Sequence, residues 1–512
     1  MTATSTPVRP TAEVAGSNTD AVVGRQTQPR IRGIAIVFGL LAAVVSVAGS
    51  WIPSFWGDEA ASIMSAERPL DTLFPMLGRV DAVHGFYYLF LHGWITLFGA
   101  SEFSVRLPSA VGVGLAAAGT VVLAAKFFDR RIAIIAGLVF AVLPRVTYMG
   151  AEARSYALGT AIAVWLTVWF VLLLRRRTTR ILPWLLYSAG LALAVYSFLY
   201  LVLLVLVHAA MLVSVRRSRD VLRRWLGFAA LGVLLALPLI AFALGEHGQI
   251  SFLGKRPKFS ANHIFVTQWF GNGWLAALCW AIILVAITVA VRSWWRSRPR
   301  VLPTGMVLMV AWLVLPTLLL ELGNIFVAPM YTTRYLSFCT PAVAILIAAG
   351  IAVLARNWMR TAAVVLLLVL AAPGYLAQRG PYAKNGGSDW RQASALIAQH
   401  ARPGDAIVFD AGTKPSQRPR LAMRLYPKDY VGLDDVGLMT PYAQTTSLWD
   451  TVAPVERVAD GLASTNTVWA MELKPGASTP TDVAELQDLG FQVRDQYRVH
   501  RTVVYELSRE TS

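Results

Sequence analysis

Two adjacent carboxylates, Asp58 and Glu59, follow a long apolar segment within the stretch GSWIPSFWGDEAAS. Tryptophan is enriched where a membrane meets water, so Trp51 and Trp56 indicate that the pair lies close to a bilayer surface. A carboxylate there can act as general base on a hydroxyl, or help to hold a divalent cation such as Mg²⁺ or Mn²⁺. Neighbouring helical residues point about 100° apart, so we expect one carboxylate to face a reaction and the other to support it. A solvated loop is the alternative.

Two further stretches combine acids with groups that could bind or position a substrate. In RVDAVHGFYY, Asp81 and His84 would share one face of a helix, and Asp81 could instead cap a helix that begins near His84. In YMGAEARSYA, Glu152 and Tyr156 share a face one turn apart, whereas Arg154 points elsewhere. Both stretches therefore provide candidate site residues.

Four cations are candidates for binding an anionic group: Arg154, Lys255, Arg256 and Arg334. Arginine in a nearly dry pocket suits a phosphate, although Arg154 could form a structural ion pair with Glu152. The other three could instead contact lipid headgroups.

The elements that must position these residues are membrane helices. Of the 512 residues, 56% are hydrophobic and 15% charged, against about 25% charged residues in soluble domains. The net charge of +17 comes largely from Lys and Arg in short loops between apolar runs, a pattern that sets membrane orientation and does not indicate nucleic-acid binding. The chain is therefore expected to be a multi-pass protein of the cell membrane.

Segments long and apolar enough to cross a bilayer predict eleven spans. They are 31–52, 106–126, 131–148, 154–174, 181–197, 199–215, 224–244, 273–292, 303–322, 336–354 and 361–378. Residues 84–99 are short, and only if they lie along the outer face do all basic loops fall inside. The N-terminus would then be cytoplasmic and the C-terminus outside, with the unusual polar residues on the outer face.

The sequence predicts three parts. Residues 1–30 form a disordered cytoplasmic tail, residues 31–379 a transmembrane domain with an outer loop at 53–105, and residues 380–512 an extracytoplasmic domain. In the last part, SDWRQASALIAQHARPGDAIVFDA predicts a helix, a Pro-Gly-Asp turn and a buried strand, and two more short strands lie near 430–435 and 467–473. Further helices lie at about 420–426, 448–462 and 481–489, and a hairpin follows. This alternation predicts a small parallel α/β sheet with an antiparallel edge.

Absent motifs narrow the function. The chain contains no HExxH, CxxC, GxSxG or P-loop, which argues against a metalloprotease, a serine hydrolase and an ATPase. A transporter would place polar or broken helices near the middle of the membrane, whereas here the polar features gather at one surface. This pattern favours an enzyme that works at the membrane interface on a lipid-borne anionic substrate.

Several stretches resemble the C-type (GT-C) membrane glycosyltransferases, in the bacterial branch similar to protein O-mannosyltransferases and aminoarabinose transferases. The matching stretches are WGDEAAS, HGFYYLFLHGWITLFGASEFSVRLPSAV, LPRVTYMGAEARSYAL, TTRYLSFCTPAVAILIAAGI and DWRQASALIAQHARPGDAIV. The last of these looks like the outer domain of actinobacterial predicted mannosyltransferases. The resemblance covers roughly residues 30–410. One departure is that Gly85-Phe86 stands where the family usually has two prolines.

The resemblance implies an inverting transfer from a polyprenyl-monophosphate-sugar donor. Asp58 would be the catalytic carboxylate and Glu59 its neighbour in the motif, and these two would be the ligands of any metal. Asp81 and His84 would line the acceptor side, and the second loop of the site would consist of Glu152, Arg154 and Tyr156. The leaving phosphate would bind Arg154, Lys255, Arg256 and Arg334.

The expected sugar is mannose, and the expected acceptor is an envelope glycan, a lipoglycan or a protein. The expected partners are the donor lipid and the membrane lipids, and no nucleic acid. A divalent cation is the candidate cofactor. The alternatives are an arabinofuranosyltransferase that uses polyprenyl-phosphate-arabinose, a flippase or exporter of lipid-linked substrates without chemistry, and an inactive scaffold.

Overall fold

The computed structural model describes residues 28–214, 219–245, 259–297, 303–474 and 479–509. The predicted disordered tail lies almost entirely outside these ranges. So do two of the predicted phosphate-binding residues, Lys255 and Arg256.

Sixteen helices make up the described part of the chain before residue 380. They are α1 (Gln28–Val47), α2 (Gly57–Glu67), α3 (Leu70–Leu77), α4 (Gly85–Phe98), α5 (Glu102–Phe127), α6 (Arg130–Val142), α7 (Pro144–Met149), α8 (Tyr156–Arg176), α9 (Ile181–Ser197), α10 (Leu204–Ser214), α11 (Arg219–Leu235), α12 (Leu237–Gly245), α13 (Gly273–Arg296), α14 (Thr304–Phe326), α15 (Thr340–Ala352) and α16 (Asn357–Ala377). Short 3-10 turns precede α4, α10 and α15.

Seven helical segments of the described residues are long and apolar enough to cross a membrane, and the bent pair of α11 and α12 makes eight. These eight match eight of the eleven predicted spans. The other three correspond to shorter helices, namely α6 with α7, α9, and the 3-10 turn with α10. Eight of the eleven predicted spans therefore have the length and composition of a full crossing, and every predicted segment is helical. The multi-pass membrane class is confirmed, and the orientation stays a prediction.

Proline explains two of the differences. The residue before a proline is disfavoured in the helical conformation, and Leu143 before Pro144 is non-helical, so that the predicted span 131–148 divides into α6 and α7. Pro238 lies in the first turn of α12, where the chain bends by 52° relative to α11. Hydrophobic content alone therefore overestimated the length of these helices.

The loop 53–105, which is predicted to lie on the outer face, folds into α2, α3 and α4. Helix α4 has 14 residues, fewer than the roughly 20 needed to span a bilayer, which agrees with the prediction that residues 84–99 do not cross. α2 packs against α4, and α5 packs against α1, α6 and α8. Helices α1 and α5 pack tightly at Gly114, where an added Cβ would lie 2.8 Å from the carbonyl oxygen of Gly39.

The C-terminal part is the predicted α/β domain. Its elements are α17 (Trp390–His400), β1 (Ala406–Phe409), α18 (Arg420–Leu425), β2 (Asp434–Asp435), β3 (Leu438–Thr440), β4 (Thr451–Val452), β5 (Thr467–Leu473), α19 (Thr481–Asp488), β6 (Phe491–Arg498) and β7 (Thr502–Arg509). The five-stranded sheet has the order β2-β1-β5-β7-β6, parallel from β2 to β5 and antiparallel beyond. The predicted mixed sheet is therefore confirmed.

One helix of this domain was predicted wrongly. Residues 448–462 contain strand β4, which pairs with β3, and a 3-10 helix at Val455–Leu462 in place of a long helix.

This domain shares a hydrophobic core with the outer loop. The buried cluster joins Phe55 and Met64 from the loop region with Trp390, Ile407 and Leu421 from the C-terminal domain. Hydrogen bonds reinforce the contact. The α/β domain is thus packed directly on the helix that carries Asp58 and Glu59.

Candidate active site

Helix α2 directs its two adjacent carboxylates to different surroundings. The Asp58 side chain remains 24% exposed and accepts a hydrogen bond from Arg334 Nη1 at 2.5 Å. The Glu59 side chain is completely buried and pairs with Arg106. Both acids lie in the first turn of the helix, where the helix dipole favours negative charge. Only Asp58 is therefore accessible to a substrate.

Glu59 and Arg106 form the buried support of the site. Arg106 Nε and Nη2 donate to the two carboxylate oxygens of Glu59 at 2.7 and 2.6 Å, a bidentate geometry. Burial acts to raise the pKa of Glu59, but the charges of Arg106 and Lys384, with the hydrogen bonds from Arg106 and the backbone of Ala153, together outweigh it, and the pKa lies below its ordinary value. The remaining donors of Arg106 bind the carbonyl oxygens of Ser50, Pro53 and Ser54. Arg106 thereby ties the loop before α2 to α5.

Glu152 lies beside the Asp58–Arg334 pair. Its Oε1 is 4.0 Å from Arg334 Nη1, and its side chain is 1% exposed. Neither carboxylate oxygen has a hydrogen-bond partner, and burial raises the pKa of Glu152 despite the nearby charges of Lys384 and Arg334. Arg334 is thus shared between two carboxylates, and its guanidinium also lies over the Trp56 ring at 5.1 Å.

Arg154 connects Asp58 to the predicted acceptor side. Its Nη1 donates to the carbonyl oxygen of Asp58 at 3.3 Å and to Ser62 Oγ at 3.2 Å. Its Nη2 lies 2.9 Å from His84 Nε2, which must be the acceptor because arginine only donates. Burial, with the charges of Arg154 and Arg334, holds the pKa of His84 well below its ordinary value, so the imidazole is neutral.

Asp81 and His84 do not lie on one helical face. Asp81 adopts a left-handed backbone with φ 59°, and its side chain makes no capping hydrogen bond to the 3-10 turn that follows. It accepts instead from the Tyr88 hydroxyl at 2.8 Å, and burial raises the pKa of Asp81. The two residues still approach the site together, because both interact electrostatically with Arg154.

A polar cleft of about 390 Å³ opens beside Arg334. Its walls contain Trp56, Arg145, Tyr148, Gly271, Thr332, Thr333, Arg334, Gln378 and Asn385, with Pro144, Thr267 and Ala383. Arg145 is held by the carbonyl oxygens of Gln268 and Thr267. Two arginines therefore line one cleft next to the exposed carboxylate, an arrangement suited to an anionic group.

Lys384 adds a third positive charge behind this cleft. Its ammonium group lies 5.0 Å from the centre of the Tyr148 ring and donates to the carbonyl oxygen of Ala151 at 2.5 Å. The side chain is almost completely buried. Burial lowers the pKa of Lys384 to about 8, and Glu59 opposes this effect.

The structure thus brings most of the predicted site residues together. Asp58, Glu59, Asp81, His84, Glu152, Arg154 and Arg334 form one connected network of contacts and charges. Tyr156 is close by, with its ring 6.5 Å from that of Tyr335. Their roles in a reaction, and the metal suggested for Asp58 and Glu59, stay predictions.

Sequence reasoning missed three cations, Arg106, Arg145 and Lys384. The first two lie in stretches quoted above as matching motifs, SVRLPSA and LPRVTYM, which was the available signal. No sequence signal indicated Lys384, because it follows the last membrane helix in a segment of ordinary linker composition.

Comparisons with known proteins agree with this architecture. Residues 86–244 match the family model of the dolichyl-phosphate-mannose-protein mannosyltransferases, which is under half of the chain. The fold is similar to that of ArnT from Cupriavidus metallidurans in its apo crystal structure, with TM-score 0.56 and 14% identity, and in a structure bound to undecaprenyl phosphate, with TM-score 0.58 and 16% identity. Each match covers 93% of this chain and 98% of that one. No curated protein matches in sequence.

The resemblance to the GT-C membrane glycosyltransferases is thereby confirmed for the fold: a helical membrane domain followed by a smaller domain that contains strands. These similarities in fold do not establish the sugar, the donor or the acceptor.

Proposed function

We propose that this chain is an inverting glycosyltransferase that moves a sugar from a polyprenyl-monophosphate-sugar to a hydroxyl of a glycan, lipoglycan or protein on the outer face of the membrane. One observation carries the proposal. The exposed carboxylate of Asp58 is held 2.5 Å from Arg334, and Arg334 itself lines a cleft that contains a second arginine. A general base and a phosphate-binding pocket are then immediate neighbours.

In the proposed reaction, Asp58 accepts the proton of the acceptor hydroxyl. The acceptor oxygen forms a bond to the anomeric carbon while the bond from that carbon to the phosphate oxygen breaks, and the electron pair leaves on the phosphate. Attack on the face opposite the phosphate inverts the anomeric centre. The salt bridge to Arg334 holds the Asp58 carboxylate in place until the acceptor arrives.

The departing phosphate gains negative charge, so preorganised cations stabilise the transition state. We assign this role first to Arg334 and Arg145, which line the cleft, with Lys384 adding positive charge from behind Tyr148. Arg154, whose Nη atoms bind protein acceptors, instead positions Asp58 and His84. Lys255 and Arg256 stay predicted phosphate ligands in a segment outside the described residues.

Mannose is the proposed sugar because the matching family is described as using dolichyl-phosphate-mannose. The lipid carrier is supported by the ArnT crystal structure that contains undecaprenyl phosphate. Envelope glycans, lipoglycans and proteins are the acceptors that such a donor would serve, and membrane lipids surround the helices.

The test is transfer by the purified full-length protein in nanodiscs, given polyprenyl-phosphate-mannose or polyprenyl-phosphate-arabinose with an envelope extract as acceptor. We expect labelled mannose in the acceptor and no transfer by Asp58→Asn. Transfer of arabinose alone would replace mannose with the pentofuranose alternative. Movement of the lipid-linked sugar across the bilayer by wild type and Asp58→Asn alike, without any transfer, would support the flippase alternative and overturn the proposal.

A further inference from the structure

A second acidic cluster lies in the C-terminal domain, where two parallel strands end at the same edge of the sheet. Strands β1 and β5 are adjacent and parallel, and Phe409 pairs with Met471. The next residue on each side is a carboxylate: Asp410 directly follows β1, and Glu472 lies within β5. Because residues opposite each other in register project to the same face of a sheet, these two side chains face one another.

The third acid comes from helix α19. Asp482 is the second residue of this helix, which is anchored in the domain core by Val483 and Leu486. One carboxylate oxygen from each of Asp410, Glu472 and Asp482 lies within 4.8 Å of the other two. Among the described residues, this is the group of three acidic, histidine or cysteine side chains with the geometry of a metal site.

Glu472 indicates that the cluster is built for a ligand. It is 3% exposed, and its buried Oε1 has no hydrogen-bond partner. An unpartnered buried carboxylate facing two other acids is unfavourable unless a cation compensates it.

Asp410 is already oriented toward such a role. Its Oδ1 accepts from the backbone N–H of Gly412 at 2.8 Å and its Oδ2 from that of Leu473 at 3.4 Å. Each carboxylate oxygen has further lone pairs available for a cation. Backbone hydrogen bonds of this kind orient a ligating carboxylate, as they do in known metal sites.

We propose that Asp410, Glu472 and Asp482 together bind one hard divalent cation of the calcium type. Oxygen-only ligands suit calcium or magnesium rather than zinc, which prefers nitrogen and sulfur. The cation would connect the ends of β1 and β5 to α19, three segments that are far apart in the chain. The bound cation would stabilise the domain that packs on helix α2. Cation binding at this site does not depend on the proposed transfer reaction.

The experiment is calcium titration of the purified full-length protein after treatment with a chelator, followed by calorimetry and by thermal unfolding. We expect saturable binding and a Tm that rises with calcium concentration, because a ligand that binds the folded state stabilises it. Glu472→Gln and Asp482→Asn should each weaken the Kd by about tenfold or more, since affinity depends on ligand charge.

Two controls separate this site from other acids. Asp488→Asn changes an exposed acid on the same helix and should bind calcium like wild type. Asp58→Asn removes any calcium bound at the candidate catalytic carboxylates, so the binding that remains in this variant belongs to the proposed cluster. Asp482→Asn also tests whether weaker binding results from misfolding. The Asp482 side chain is only partly buried, so the metal-free Tm of this variant should stay near that of wild type.

Three results would overturn the proposal. The first is wild-type protein that shows no calcium response. The second is an equal loss of binding in Asp488→Asn. The third is a Glu472→Gln variant that has a higher Tm than wild type in chelator, together with a wild-type Tm that neither calcium nor magnesium raises. This result would mean that the three acids only share a proton.

Discussion

Replacing the two carboxylates of α2 one at a time should produce opposite defects. Asp58→Asn is expected to abolish transfer and leave the fold intact, whereas Glu59→Gln is expected to destabilise the protein. The reason is burial. The Asp58–Arg334 pair is 20–24% exposed, and the Glu59–Arg106 pair is completely buried.

The magnitudes follow from these environments. A partly exposed ion pair contributes about 0–1 kcal/mol to stability, whereas loss of a general base costs about 10² to 10⁴-fold in rate. Breaking a buried pair by removing one partner costs about 3–5 kcal/mol. Glu59→Gln should lie near the lower end of that range, because Arg106 keeps three carbonyl acceptors at Ser50, Pro53 and Ser54.

The assay measures two quantities on the same preparations: the initial rate of sugar transfer per folded molecule, and unfolding in detergent followed by tryptophan fluorescence. Asp71→Asn is the matched control, since it changes an exposed acid in the first turn of the next helix, α3, and both quantities should stay near wild type. The double variant Glu59→Leu/Arg106→Met should be more stable than Glu59→Gln, because no buried charge is left unpaired.

The reasoning would be refuted by an Asp58→Asn protein that unfolds as early as Glu59→Gln and still transfers sugar at the wild-type rate per folded molecule. A stable but inactive Glu59→Gln protein beside an active Asp58→Asn protein would assign the base to Glu59 instead.

The remaining predictions concern the cations and the contact between domains. Arg334→Gln should lower kcat/KM for the donor about 10- to 150-fold, since one charge-assisted hydrogen bond contributes roughly 1.5–3 kcal/mol. Arg334→Lys should recover part of the lost kcat/KM. Unchanged donor kinetics in both variants would show that Arg334 does not bind the phosphate. As the pH rises through about 8, Lys384 loses its proton, so wild-type kcat/KM should fall by roughly tenfold, because the cleft loses one nearby positive charge. Lys384→Met should be low and flat over that range, and a wild-type pH profile in this variant would contradict the assignment. Gly57→Ala should weaken the packing of the C-terminal domain on α2, because the added Cβ would lie 2.1 Å from the carbonyl oxygen of Ser416. We expect faster protease cleavage after residue 380 than in the control Gly93→Ala, where the added Cβ meets nothing. Equal cleavage of the two variants would argue against the contact.

Local sequence patterns were sufficient for much of the architecture. Long apolar runs predicted the membrane class, and the alternation of strands and helices after residue 380 predicted the mixed sheet that the structure contains. These predictions succeeded because hydrophobic periodicity and turn residues act over a few positions. The same locality explains the errors. The break before Pro144 and the β3–β4 pair in place of a helix both depend on backbone geometry that an apolar pattern does not encode.

The sequence by itself was sufficient to predict that Asp58 and Glu59, as neighbours on a helix, point in different directions. Only the tertiary structure decided which of them is buried, because the choice depends on Arg106, 47 positions along the chain. The cleft likewise combines Arg145, Arg334 and the neighbourhood of Lys384 from segments far apart in sequence. Helix and strand patterns follow from neighbouring residues, whereas a site made of charges from distant segments exists only after those segments have packed together, since packing sets both the distances and the exclusion of water that give the charges their strength.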